Sequence, residues 1–481
     1  MAITFAYILP LSLVTVVLFA AHLGGIALAL LAVEAVVIVA VVIARRRPPH
    51  PAGMAPPPAG RGSYRWSWCS SSAALSGSPY SRRPPDELRE PALSGAASYA
   101  GAVLGAAVVL MTASSVVTTL VVPRRSRDPL SRWFDRGTDR VYRLRTRGVR
   151  EYAVRDHRLA SQAATTILVQ LGGWLMLFFL GFALLLWPVD PRGFGHACAQ
   201  AGSSLFTLGY AGPSGSTLTA IDYLAAAVGL IVVALQIGYL PTLYGAFNRR
   251  ETEVTLLSSR AGTPAWGPEV LARTRFGFGQ DDEGVVMDAF YLQWERWAAD
   301  LAESHTNYPI LTRFRSPYPL SSWLVGLLAV LDSAALWLAL SPGRAPVVEA
   351  RLCLRMGFVA LRAIAETVGL PAEHDPDPDS DLQLTYEEYL TGIDRLVTAG
   401  FVLERTPEQG WPDFRGWRVN YEAVAYALAW RTDAVPSPWT GPRRTGDAPL
   451  APIRPANRIP TPHSADRLLG APRGEQSGQP G

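Results

Sequence analysis

The hydrophobic positions of this chain are gathered into long blocks instead of recurring at the period of a half-buried helix or strand. Residues 3–44 are almost continuously apolar, broken by His22, Gly24, Gly25 and Glu34. At 1.5 Å per residue this block would make a helix of about 63 Å, twice the ~30 Å of a bilayer core. It reads as two spans with a turn near residues 22–25, or as one span with an embedded extension. A second block, 97–122, carries no charge from Gly101 to Val122 and is stopped by Pro123 and Arg124. A third, 162–187, is uncharged and ends at Trp187 and Pro188. A fourth, 219–247, has Asp222 near its start and Arg249 and Arg250 just past its end. Each of these three is long enough to cross a membrane. The run 321–340, between Pro319 and Pro342, has Asp332 in its middle and reads as a buried or membrane-lying helix before it reads as a span.

The segments between the blocks differ in kind. Residues 45–96 are rich in Pro, Ser, Gly and Ala and predict a disordered linker. Residues 251–434 predict a mostly helical domain. Phe290, Tyr291, Trp294, Trp297 and Leu301 fall on one helical face, and Thr385 with Glu388 makes a capping-box pair. Residues 435–481 predict a disordered tail. Of the 481 residues only 17% are charged, against about a quarter in soluble proteins, which argues against a simple cytosolic enzyme.

Charge enters mainly through its placement. All 44 basic residues are arginine and the net charge is only +4. Twelve arginines lie between Arg124 and Arg158, flanked by two predicted spans, and this loop is predicted to face the cytoplasm. Trp133, Val141, Leu144 and Val149 within it predict an amphipathic helix at the membrane surface, so it reads as a topology and lipid-headgroup element, with no nucleic-acid partner. Eight arginines precede residue 97 and compete in the topology count. Residues 1–44 therefore insert differently from a simple pair of spans, or the true start lies downstream.

Between the third and fourth blocks the chain reads GFGHACAQAGSSLFTLGYAGPSG from Gly193 to Gly215. Its first half, to about Phe206, predicts a short helix. Its second half is too rich in Gly, Ser and Pro to continue one. Irregular backbone at membrane depth is tolerated only inside protein or along a water-filled path. Thr207, Leu208, Gly209 and Tyr210 closely resemble the Thr-Val-Gly-Tyr-Gly filter of potassium channels, and residues 161–250 resemble the two-helix pore module of that superfamily. The resemblance implies an all-α membrane protein: an outer helix, a re-entrant pore helix with its filter, an inner helix, additional N-terminal transmembrane helices and a cytoplasmic α-helical domain. It implies passive conduction of potassium, or of cations broadly, through the carbonyls of Thr207, Leu208, Gly209 and Tyr210. It implies a homotetramer, since one loop cannot line a filter, and a multi-pass protein of the cell membrane. Tyr210 would brace the filter against the pore helix, and the Thr207 hydroxyl would add a ligand at its inner end.

The chain also departs from that pattern. Ala211 stands where the family has a second filter glycine, Leu208 replaces valine, Phe206 holds a place often given to threonine, and Gly212 one often given to aspartate. These leave potassium-selective and broadly cation-permeable conduction both open. They also leave an alternative, a non-conducting membrane scaffold or signalling protein with a degenerate pore-loop fold. Gly229, Gly238 and Pro241 are candidate gating hinges or sites of close helix packing. Asp222 could attract cations at the outer mouth or complement a helix N-terminus.

No other constellation carries chemistry. Cys69, Cys198 and Cys353 are isolated. Asp375, Asp377, Asp379 and Asp381 have the spacing of an EF-hand loop, but Ser380 replaces the turn glycine and Tyr386 the closing glutamate. His157, His196, His305 and His374 are scattered, and Glu303, Ser304 and His305 lack the context of a triad. No enzyme activity and no cofactor is expected beyond permeant potassium ions at the filter. The ligand of residues 251–434 is open.

Overall fold

The computed structural model of the protein describes residues 95–122, 128–212, 216–274 and 283–453. The expectations for 1–94 and for 454–481 lie outside the described residues. The described residues are mostly helical, with one isolated antiparallel bridge between Thr263 and Ile453. Four helices are long and apolar enough to cross a membrane: Tyr99–Leu120, Tyr152–Leu186, Leu218–Ala261 and Trp323–Leu340. The chain divides into two units, 95–117 with Gln170–Leu235 and Thr118–Val169 with 236–453.

The first unit is built from α1 (Gly95–Leu120), α4 (Gln162–Leu186), the short α5 (Phe194–Leu205) and the start of α6 (Ser216–Ala261). α1 and α4 approach closely because two glycines meet. A Cβ on Gly105 would lie 2.6 Å from the carbonyl oxygen of Gly181, and one on Gly181 would lie 2.6 Å from Val109 Cγ2. Small residues of this kind let apolar helices associate where the hydrophobic effect offers no drive. Trp174 donates its indole N–H to Ser115 Oγ at 3.0 Å, which satisfies both polar groups inside the contact.

The second unit contains α2 (Pro129–Thr146), α3 (Tyr152–Leu159), the later part of α6, and seven further helices: α7 (Gly267–Thr274), α8 (Glu283–Asn307), α9 (Trp323–Leu340), α10 (Val347–Thr367), α11 (Tyr386–Thr398), α12 (Pro407–Arg418) and α13 (Glu422–Thr432). α2 starts where Asp128 caps it, accepting from the Ser131 N–H at 2.8 Å, with Pro129 preset in the first turn. It buries Phe134, Thr138, Tyr142 and Thr146, and leaves Trp133, Val141 and Leu144 exposed. The exposed set is the apolar stripe expected of a surface helix. The capping box of α11 forms as expected, Thr385 accepting from the Glu388 N–H and Glu388 from the Thr385 N–H.

α9 is the centre of this unit. All 18 of its residues are buried, packed by α7, α10, α12 and α13. Asp332 in its middle is met by the Arg418 guanidinium and by the Tyr421 hydroxyl at 2.8 Å. Arg418 also binds Glu422 at 2.9 Å and the Trp439 carbonyl at 2.6 Å. Trp323–Leu340 is thus wholly covered by protein.

The expected tail beginning at 435 is corrected at its start. Residues 435–453 pack onto the unit: Val435 and Trp439 are buried, Arg443 holds the carbonyls of Ala434 and Val435, and Ser437 donates to the Ala265 carbonyl at 2.7 Å. Their order comes from partners distant in sequence, which local composition does not reveal.

Past Arg249 the helix α6 is anchored by a buried arginine. Arg250 donates to the carbonyls of Leu311 and Phe314, both at 2.8 Å, to Glu251 at 2.8 Å, and to His305 Nε2 at 3.1 Å. His305 is neutral there: burial, then the adjacent Arg250 charge, hold its pKa well below the ordinary 6.5. The unfolded chain takes up a proton near pH 6.5 that the folded chain refuses, so stability is full above that pH and falls below it. The slope is at most about 1.4 kcal/mol per pH unit. His305→Gln, which keeps an acceptor for Arg250, is expected to flatten the loss of melting temperature between about pH 6.5 and 5. Parallel pH profiles for the two proteins would refute this assignment.

Candidate functional site

Residues 187–212 connect two long apolar helices through a short one. α5 begins after Gly193 and runs to Leu205, close to the bounds predicted for it. Asp190 fixes its entry. The carboxylate accepts from the Arg192 N–H at 3.0 Å and contacts His196 Nδ1 at 2.6 Å. Burial alone would raise the Asp190 pKa, but the Arg192 N–H and then the His196 contact outweigh it and hold it below its ordinary value.

The exit of α5 is fixed by one serine. The Ser203 carbonyl accepts from the N–H groups of Leu208 at 2.7 Å and Gly209 at 3.4 Å, and its hydroxyl accepts from the Ala211 N–H at 3.0 Å. The chain thus leaves the helix and folds back over its last turn. Two residues of this segment have positive φ, Thr207 at 53° and Gly209 at 70°. Glycine meets that demand without cost, whereas Thr207 adopts it at the expense of its side chain's preferences.

Ala211 is not among the positive-φ residues, so the alanine in place of glycine incurs no strain in this conformation. Two expected roles take a different form in the single chain. Tyr210 is 61% exposed and does not brace the segment against α5, and Leu208 is 63% exposed. The Thr207 hydroxyl donates back to the Phe206 carbonyl at 2.7 Å.

α6 packs directly beneath the exit of α5. A Cβ on Gly229 would lie 2.0 Å from the Leu205 carbonyl oxygen, so only glycine fits there. This is the packing role, and at Gly229 it displaces the hinge. Gly238 has nothing within 4 Å of its Cβ position, and Pro241 lies inside an unbroken helix.

Asp222 has neither of its two expected roles. It is buried and accepts from Gln200 Nε2 at 2.9 Å and from the Ser204 hydroxyl at 2.8 Å. It ties the first turns of α6 to the last turns of α5. Gln200, Ser203 and Ser204 have no sequence signal of their own; polar residues at i, i+3 and i+4 in a short membrane-depth helix are the only hint.

The other candidate chemistry does not assemble. Asp375 to Asp381 form an exposed loop held by Arg415, which donates to the carbonyls of Asp379 and Ser380. Ser304 donates to the Asp300 carbonyl at 2.7 Å, and His305 is taken up by Arg250. Among the described residues, no group of three His, Cys, Asp or Glu is placed to hold a metal. Comparison with protein-family models, with curated proteins and with solved structures finds no match for this chain.

Proposed function

We propose that the chain is one subunit of a membrane cation channel, and that Thr207, Leu208, Gly209 and Tyr210 of four copies supply a carbonyl-lined filter for potassium or for cations broadly. The observation that carries this reading is the Ser203 clamp. A short helix between two membrane-length helices ends in a glycine-containing segment that is folded back and held at three N–H groups. Pinning the N–H groups of 208, 209 and 211 on one side leaves their carbonyls free for another partner.

The supporting physics is electrostatic. The last carbonyls of α5 carry partial negative charge and favour a cation in front of the helix. Filter carbonyls replace the ion's hydration shell only when several strands surround it, which calls for a cyclic assembly. The exposure of Leu208 and Tyr210 in one chain leaves apolar surface for such neighbours. The second unit would act on the pore through α6, which runs without a break from Ser216 to Ala261.

The rival reading, a non-conducting scaffold, draws on Ala211. Purified protein in liposomes tests both, with potassium and sodium flux measured separately. Potassium flux abolished by Gly209→Pro is the expected result, since proline excludes the φ of +70° found at that position. Equal potassium and sodium flux, also abolished, assigns a relaxed cation pore. Absence of flux from folded protein over a wide range of voltage and pH defeats the channel reading.

A further inference from the structure

The second unit holds a cleft of about 300 Å³ bounded by α2, the first residue of α4, the 3₁₀ turn Pro309–Arg313, and the end of α13 with the segment after it. Seven arginines and two aspartates line it. Three more carboxylates, Asp135, Asp156 and Asp447, reach the same arginines from behind. Five carboxylates against seven guanidinium groups leave an excess of two positive charges around the cleft.

The individual contacts show where that excess lies. Asp139 is fully engaged, by Arg313 at 3.1 Å, Arg431 at 2.9 Å and Gln162 at 2.8 Å. Arg155 is held by Asp433 at 2.6 Å and by Asp447. Arg143 and Arg444, by contrast, donate to main-chain carbonyls, of Asp139 at 3.1 Å and of Arg431 at 3.2 Å, and form no ion pair among the described residues. Arg143 and Arg147 both stand exposed at the rim, and Arg444 is half-buried. Burial and then the like charges of Arg143 and Arg431 push the Arg444 pKa below its ordinary value. Like charges brought together inside a protein normally mark a site that an anion completes.

We propose that this cleft binds a phosphate-bearing dianion, a phosphate monoester or diphosphate, through Arg143, Arg431 and Arg444. Guanidinium groups match phosphate oxygens in pairs, and the cleft is of ligand size. The ligand bridges α2 to the chain after α13 and closes the cleft by cancelling the repulsion. Because Gln162, the first residue of a membrane-length helix, lines the same cleft, the phosphate can belong to a lipid headgroup or to a soluble metabolite. The site lies within one unit and is independent of whether the protein conducts ions.

The full chain in neutral detergent tests this at constant ionic strength, with melting temperature followed against inorganic pyrophosphate and, separately, against short-chain phosphatidate. Pyrophosphate or phosphatidate is expected to raise the melting temperature of the wild type. Arg143→Gln and Arg444→Gln are expected to weaken apparent affinity about tenfold or more. Arg143 is exposed, so Arg143→Gln keeps the test open should Arg444→Gln fail to fold. Tighter binding of phosphatidate than of pyrophosphate assigns the ligand to a headgroup, and the reverse order to a soluble phosphate. Stabilisation by neither probe, or stabilisation undiminished in the folded variants, overturns the proposal.

Discussion

Arg418→Met is expected to unfold the second unit at ordinary temperature, or to leave it with most of its stability lost. The arginine is fully buried and bonds Asp332, Glu422, the Tyr426 hydroxyl and the Trp439 carbonyl. Methionine fills similar volume and restores none of these. Glu422 keeps the N–H groups of Gln383 and Leu384, at 2.6 and 3.1 Å, but Asp332 keeps only the Tyr421 hydroxyl. Breaking a buried ion pair by removing one partner costs about 3–5 kcal/mol, against a total stability of about 5–15 kcal/mol. Removing both charges, as Asp332→Leu with Arg418→Met, is expected to recover most of the loss. Thermal melting of the three proteins in detergent checks this. A single variant as stable as wild type would mean that the Asp332 charge is compensated by something other than Arg418.

Gly229→Ala is expected to displace the end of α5 from α6, lowering stability and, for the channel proposed above, ion flux. Its Cβ would lie 2.0 Å from the Leu205 carbonyl oxygen, a distance no repacking of side chains relieves. Overpacking of this kind costs about 1–3 kcal/mol. The same substitution nine residues later gives the contrast. A Cβ on Gly238 meets nothing within 4 Å, and alanine is the better helix former by about 0.5–1 kcal/mol. Gly238→Ala is therefore expected to melt no lower than wild type. If the two variants behave alike in melting and in flux, the close approach of α6 to Leu205 is not what sets the geometry of residues 206–211.

The long apolar helices were legible because their signal is local: an uncharged block closed by proline and arginine needs no partner to be recognised. The predicted blocks 97–122 and 162–187 correspond to Gly95–Leu120 and Gln162–Leu186, and the short helix before Thr207 to Phe194–Leu205. What escaped was every feature made by residues far apart. Asp222 looked like a surface charge because Gln200 and Ser204 stand about twenty positions earlier, with nothing to mark them as its donors. Gly229 reads equally as a hinge or as a close-packing site, because the carbonyl that decides between them belongs to Leu205. Residues 435–453 looked like a tail because their composition is that of a loop, whereas their order comes from Ala265, Thr263 and Arg155. The arginine-rich loop reads as a topology signal, and nothing local in it marks the ion pairs of Asp139 with Arg431 and of Arg155 with Asp433.

The burial of α9 also has a consequence for biosynthesis. The helix leaves the ribosome as 18 apolar residues that satisfy the length and composition of a membrane span. The partner of its central aspartate lies 86 residues downstream. At ~5–20 residues per second that partner arrives roughly 4–17 s later. For that interval the nascent chain carries a segment with the length and composition of a membrane span and an unpaired aspartate at its centre. The burial of the Asp332 charge in α9 therefore waits on the order of synthesis, because Arg418 and Tyr421 are both made later.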